Sequence, residues 1–540
     1  MTRLVVIGLD GGTDAVLDLA DAPVPNIRRL RSGGASGILR STVPPITAAA
    51  WPSMLTGWNP GRHGMFDFRV IDITRPSSSW GAGQSVGFTD GPSFVTSRSW
   101  AGSAVWDLAG SSCALMTIPM TYPCWPVDGV MVAGFPLPDY DRNHTYPEGA
   151  GDDMPPLLEN GEDITELADG ELAVQCQQLI ERQAAVVRGW LSDGRHTLVM
   201  AVFQGTDFAQ HRLWKYLAQP GHPLYDALLR MYGTVDEVVG LALDAAGDDG
   251  HVVVVSDHGF GPHPTTFVHT DQALADAGLL ALRSGSHGPG SMTRIVGAAP
   301  MLRRRLRRLA HKLPERAGNW LAARYTNLNS IDWARTDAFR FPLYTPAEGV
   351  VVNLAGRQPH GRVSPGVEYE AVRDRVIASL SALRSPDGRP VVQWACRREE
   401  LYSGELADLA PDVIALFHTE FKGHAGLGDV FTAVPQAILD RFSGVHAMDG
   451  VFAAHGPLVP PGVDLGACDI VDVAPTLLAL LGVRPPADID GRLMAGVLRG
   501  DEAGERDALE PTLICPPEEA LTPEEEAALE RSLRALGYLE

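Results

Sequence analysis

Cysteine is scarce and scattered in this chain: Cys113, Cys124, Cys176, Cys396, Cys468 and Cys515 are the whole supply in 540 residues, with no CxxC pair. That excludes a disulfide framework and a thiolate zinc site of the usual spacing, and it suits a reducing compartment. No apolar stretch approaches the ~20 residues of a membrane-spanning helix. Met1-Thr2-Arg3 runs directly into Leu4–Asp10, with no room before it for a charged region, an apolar segment and a cleavage site. A cytoplasmic location is therefore expected. Positive charge is also in deficit. The net charge of −22 argues against nucleic-acid binding through an overall basic surface, and leaves an anionic substrate dependent on local positive charge. There is no G-x-x-x-x-G-K-[ST] phosphate loop and no internal repeat.

What is present is an ordinary globular composition, with 45% hydrophobic and 20% charged residues, in a chain long enough for a large core. Apolar runs end repeatedly in turn or polar residues: Leu4–Asp10, Val130–Pro136, Leu198–Asp207, Val252–Asp257, Val413–Phe417 and Val451–His455. Helical patterns lie between many of them, for example Leu224 to Leu243 and Tyr369 to Leu383. Strand and helix in alternation predict an α/β fold, a mostly parallel sheet flanked by helices on both faces.

Composition divides the chain further. Residues 1–262 read as the first part of the α/β core, with an irregular Ser-, Gly- and Trp-rich loop over 74–102. Residues 263–345 read as a cap or insertion, 346–495 as the second part of the core, and 496–540 as a C-terminal tail with a docking helix. The cap contains the cluster Arg303, Arg304, Arg305, Arg307, Arg308 and Lys312, with Leu302, Leu306, Leu309 and Leu313 at helical spacing. This basic amphipathic helix over 301–313 is either a solvated face docked through its leucines or a surface for an anionic partner. In the tail, Thr522-Pro523-Glu524-Glu525 supplies an N-cap, a first-turn proline and a capping-box glutamate, and Leu529, Leu533 and Leu536 form the docking stripe.

The residues that can do chemistry sit where the apolar runs stop. The valines Val252–Val255 lead into Ser256-Asp257-His258-Gly259. An unbroken apolar run is what a strand buried on both faces looks like, and open α/β sheets take their ligands at the C-terminal strand ends. Adjacent Asp and His reach one site only if the chain turns there, and Gly259 with Phe260-Gly261-Pro262 is expected to supply the turn. Asp10 follows the first strand in the same way, ahead of Gly11-Gly12-Thr13. After Pro44-Pro45-Ile46, Thr47 precedes Ala48-Ala49-Ala50, at the expected start of a helix. A hydroxyl there lies at the positive end of the helix dipole, which favours an alkoxide or a bound phosphate, although a threonine that merely caps would look the same. Asp207 and His211 are four residues apart and so share one helical face. His446 closes Gly444-Val445-His446 shortly before the run Val451–Ala454.

The ordered set Asp10, Thr47, Asp207, His211, Asp257, His258 and His446 resembles the alkaline phosphatase superfamily, specifically its type I phosphodiesterase and nucleotide pyrophosphatase branch. The resemblance runs through the T-x8-TG-x5-HG segment of Thr47, Thr56-Gly57 and His63-Gly64 to Gly444-Val445-His446 and on into Asp469–Leu477. It implies two divalent metal ions, one held by Asp10, Asp257, His258 and the Thr47 hydroxyl, the other by Asp207, His211 and His446. Mixed imidazole and carboxylate ligands suit Zn²⁺, with Mn²⁺ or Fe also accommodated. Two dications against three carboxylates would leave a local positive surplus for a small phosphate ester. The reaction implied is attack by Thr47 on phosphorus and hydrolysis of the resulting phosphothreonine by water. His455 lies near the last strand, but His446 is the residue that matches the family's ligand.

One position departs from the family. Its nucleotide pyrophosphatases carry an asparagine five residues after the histidine of the HG motif, as a donor to a phosphoryl oxygen, and here that position is Phe68. Another donor, an arginine from the cap for example, or a different substrate is then expected, with phosphomonoester hydrolysis and phosphoryl transfer as alternatives. Gly8-Leu9-Asp10-Gly11-Gly12-Thr13 also resembles the first phosphate loop of actin-like ATPases and sugar kinases, a reading that leaves the later Asp and His residues unused. A non-catalytic binding protein on the same fold would not need all seven positions to be chemically competent.

Overall fold

The structure is a computed structural model that describes residues 4–74, 94–137, 144–150, 167–283, 331–499, 506–509, 521–535 and 538. The basic segment 301–313 and most of the loop 74–102 lie outside the described residues.

Leu4–Leu9 is buried at every residue, and it lies between two other fully buried strands, Leu198–Phe203 and His251–Val255, parallel to both. Apolar side chains on both faces require cover on both faces, and this triplet forms the middle of a nine-stranded sheet. Across the sheet the order is Val463–Asp469, Ala35–Arg40, Asp449–His455, His251–Val255, Leu4–Leu9, Leu198–Phe203, Cys113–Ile118, Gly129–Ala133 and Thr145–Tyr146. Only Asp449–His455 and Thr145–Tyr146 run against the rest. The helices Pro25–Gly33, Asp169–Asp193 and Pro223–Ala246 pack together as one group, and Thr47–Thr56, Val105–Ala109 and Val473–Leu480 as another. Pro223–Ala246 shows why such helices dock: Leu228, Met231, Val235, Val238, Val239 and Ala242 recur at helical spacing and are buried.

The run Val413–Phe417 belongs elsewhere. It is as apolar and as buried as the central strands, yet it pairs antiparallel within a separate four-stranded sheet ordered Ala338–Pro342, Ala347–Val352, Val413–Phe417, Val392–Arg397. The helix Val367–Ser381 covers that sheet, and Phe339, Phe341, Val351, Ile414 and Phe417 form a second core. The C-terminal helix Pro523–Ala535 starts as its sequence indicates. Glu525 N donates to Thr522 Oγ1 (3.2 Å), Thr522 N donates to Glu525 Oε2 (2.6 Å), and Leu529 and Leu533 are buried. No helix among the described residues is long and apolar enough to cross a membrane, and the five described cysteines are free thiols.

Candidate active site

Three neighbouring parallel strands end at one place, and each is followed by a carboxylate. Asp10 follows Leu4–Leu9, Asp207 lies in the helix Gly205–Leu213 just after Leu198–Phe203, and Asp257 follows His251–Val255. The chain bends at Asp257 and His258 themselves. Gly259–Pro262 is not the turn but a short strand, paired antiparallel with Gly444–Ala447 so that His446 lies opposite Phe260. That ribbon is how a residue so distant in sequence enters the site. Ser443 ties its start to the end of the Asp207 helix, donating from N to His211 O (2.8 Å) and from Oγ to Arg212 O (2.7 Å).

The seven expected residues come together, and none is more than 2% exposed. His446 Nε2 lies 3.2 Å from Asp207 Oδ1 and 3.1 Å from His211 Nε2, and His211 Nε2 lies 3.5 Å from Asp207 Oδ2. His258 Nε2 lies 3.2 Å from Asp257 Oδ2 and 3.8 Å from Asp10 Oδ1, and its ring stacks on that of His446 with centroids 3.5 Å apart. Outer contacts fix the two ring orientations. His446 Nδ1 donates to Pro45 O (2.8 Å) and His258 Nδ1 to Gly259 O (3.1 Å), so both Nε2 lone pairs face inward.

Thr47 is the first helical residue of Thr47–Thr56, after Ile46, and it does not cap that helix with its side chain. Its Oγ1 lies 3.3 Å from His258 Nε2 and 3.2 Å from the hydroxyl of Tyr538. The other motif residues hold this helix in place. His63 Nδ1 accepts from Met65 N (3.1 Å), which leaves Nε2–H to donate to Ser53 Oγ (2.7 Å). Gly57 ends the helix at φ 71°, and Val473–Leu480 packs against it.

The donor set fits divalent cations. Asp10 Oδ1, Asp207 Oδ1 and Asp257 Oδ2 are buried and have no hydrogen-bond partner, a costly state for carboxylate oxygens unless a cation meets them. Burial, then Asp257 and Asp207, pushes the Asp10 carboxyl well above the usual carboxylate range. Burial also raises Asp257, with His258 opposing and Asp207 adding to the rise. Burial pushes the His446 imidazole down to about 3, so it offers a lone pair at neutral pH. Among the described residues two ligand groups emerge: Asp207, His211 and His446, and Asp10, Asp207 and His258. Asp207 reaches both groups, whereas the resemblance assigns it to one.

Gly11 allows the close approach. At φ +64°, its N donates to Asp257 Oδ1 (3.2 Å), and a Cβ there would fall 3.1 Å from Asp207 Oδ1. Its amide is therefore spent inside the carboxylate cluster, and Thr13 caps the short helix Asp14–Leu17, so Gly8–Thr13 is not arranged as a kinase phosphate loop. His455 lies beside His251 and Gly33, outside both ligand groups.

Sequence reasoning missed Tyr538. Its hydroxyl donates to Asp207 Oδ2 (2.8 Å), and its ring meets Phe68 edge-on at 4.8 Å, with Phe135, His211, His446 and Tyr344 around it. Burial, then Asp207, Asp10 and Tyr344, pushes the phenol well above its usual range, so it keeps its proton. The Leu529 and Leu533 stripe announces a docked helix, but no local pattern says where it docks.

Among solved structures, human ectonucleotide pyrophosphatase/phosphodiesterase 5 is similar at 13% identity, over 92% of this chain and 100% of that chain, with a TM-score of 0.48. The murine protein of the same name, as an inactive form in complex with AMP, is similar at 11% identity over 90% and 96%, with a TM-score of 0.49. No curated protein matches the sequence. The family described as type I phosphodiesterase / nucleotide pyrophosphatase matches residues 4–429, most of the chain. The chain thus belongs to the type I phosphodiesterase/nucleotide pyrophosphatase family of hydrolases.

Proposed function

We propose that this chain hydrolyses small phosphoric esters through a phosphothreonine formed on Thr47, with two divalent metal ions, zinc first among the candidates, as cofactors. One observation carries the reading: a buried threonine hydroxyl, free of capping, stands at a helix N-terminus 3.3 Å from His258 Nε2, in a site with three carboxylate oxygens that lack partners. Asp10, Asp257, His258 and Thr47 would hold one ion and Asp207, His211 and His446 the other, with Asp207 also within reach of the first. Bound there, the ions would supply Lewis-acid stabilisation of the phosphoryl oxygens and acidify nearby oxygens.

This chain's own part is positional. Thr47 presents Oγ1 to phosphorus and gives up its hydroxyl proton, the Oγ1–P bond forms as the P–O bond to the leaving alcohol breaks, and the departing alkoxide takes up one proton, so that the count is unchanged. Water then cleaves the Thr47 phosphate and restores the hydroxyl. Backbone N–H groups at the start of Thr47–Thr56 favour negative charge on the phosphoryl group. Free, scattered cysteines support action in the reducing cytoplasm.

The test is Thr47→Ala, assayed with a chromogenic phosphomonoester, a phosphodiester and a sulfate ester while bound metal is measured on the same sample. Turnover of every ester that the native protein cleaves should vanish with metal content nearly intact. A fully active variant would remove Thr47 from the reaction. The substrate panel on the native protein separates diesterase from monoesterase action.

A further inference from the structure

Tyr538, which follows the helix Pro523–Ala535, reaches the reaction centre. Tyr538 N donates to Leu533 O (2.9 Å), just past the helix Pro523–Ala535, whose Leu529 and Leu533 are buried. Glu530 of that helix forms an ion pair with Arg69 (3.5 Å), the residue after Phe68. The phenol ring is wedged among Phe68, Phe135 and Tyr344, with only 7% of the residue exposed. Such packing leaves the hydroxyl little freedom, and it stands 3.2 Å from Thr47 Oγ1 and 2.8 Å from Asp207 Oδ2.

We propose that Tyr538 is a catalytic residue, its hydroxyl being the neutral donor that stabilises the phosphoryl oxygens during attack by Thr47, at a position where Phe68 has no donor to give. The idea rests on the Thr47 reading above. The physical case is preorganisation. A donor fixed by packing before the reaction costs no reorganisation when charge develops on the phosphoryl oxygens, and in a dry site it is worth more than in water. The hydroxyl also needs only a small shift, because Asp207 Oδ2 accepts its proton in the resting site and an arriving phosphoryl oxygen would compete for it. A phenol brings no charge of its own, so it adds a donor without disturbing a site already crowded with Asp10, Asp207 and Asp257. Phe68 contributes the ring face that positions this donor.

Tyr538→Phe isolates the hydroxyl, because the ring contacts survive. In the metal-loaded protein, kcat should fall about 10²- to 10³-fold, as for loss of one oxyanion donor. KM should stay within about threefold, because the interaction forms mainly in the transition state. Affinity for orthovanadate, a pentacoordinate phosphorus mimic, should weaken in parallel while metal content stays at the native value. A chain ending at Leu536 should be at least as slow as Tyr538→Phe. Unchanged kcat and vanadate affinity in Tyr538→Phe would overturn the proposal. So would faster turnover in the shortened chain, which would make Tyr538 a plug over the site. If Thr47→Ala is inactive and Tyr538→Phe fully active, this inference alone fails; an active Thr47→Ala defeats the underlying reading as well.

Discussion

Two kinds of delivery meet in one site. Asp10, Asp207 and Asp257 follow the ends of adjacent parallel strands, and the sheet that aligns those strands aligns them too. His446 and Tyr538 come from outside the sheet, one on a two-stranded ribbon and the other beyond a docked C-terminal helix. The first kind is built by the core and stands or falls with it. The second depends on local docking, and can be lost while the fold survives.

The sharpest way to break this comparison is to remove a ligand of each kind. Asp207→Asn should cost on the order of 10⁴-fold in turnover, because one carboxylate reaches both ligand groups. Metal analysis should show both ions weakened. His446→Ala should release only the ion shared with Asp207 and His211, leaving about half of the metal with the protein. Equal metal loss in the two variants would mean that Asp207 serves only the ion it shares with His211 and His446.

Leu533→Ala probes docking without touching the chemistry. A cavity at a fully buried leucine costs about 2–5 kcal/mol, here placed under the helix that carries Tyr538. Turnover should fall toward the Tyr538→Phe level, while thermal unfolding of the main sheet, followed by hydrogen exchange at Leu4–Leu9, stays near native. Loss of protection in that strand would make the tail part of the core.

A buried carboxylate away from the site gives a pH comparison. Burial, opposed by Arg340, raises Asp271 to about 8, so the folded chain holds this proton where the unfolded chain releases it near 4. Its contribution to stability is therefore full below about 4, declines as pH rises and is gone above about 8. Asp271→Asn should flatten this part of the pH–stability profile in denaturant titrations. An unchanged slope would mean that Asp271 stays ionised in the fold. The smallest effect expected is that of Thr522→Ala, about 1 kcal/mol from the lost cap, measurable as fraying of the C-terminal helix.

Much of the site was legible because chemistry and topology leave the same mark. Val252–Val255 shows that a strand is covered on both faces, and such strands end at ligand positions, so Asp257 and His258 could be read together with Asp10. The same signal misleads at Val413–Phe417, because apolar continuity reports cover and not sheet partner; that strand lies in the second, antiparallel sheet. The Gly259–Pro262 segment was expected as a turn from its glycines and proline, yet its backbone pairs with Gly444–Ala447, a contact between segments far apart in sequence. Tyr538 shows the same limit. Thr522, Glu525, Leu529 and Leu533 specify a helix with one docking face, but the surface that receives it lies beside Arg69, fixed by the fold as a whole.

The central claim is covalent participation by Thr47, and it can be observed on the native protein. Acid quenching during steady turnover of the best ester, followed by peptide mass spectrometry, should show a single phosphate on the peptide containing Thr47, absent without substrate. Turnover that proceeds with no phosphate on that peptide, at the earliest quench times that precede hydrolysis, would contradict the account.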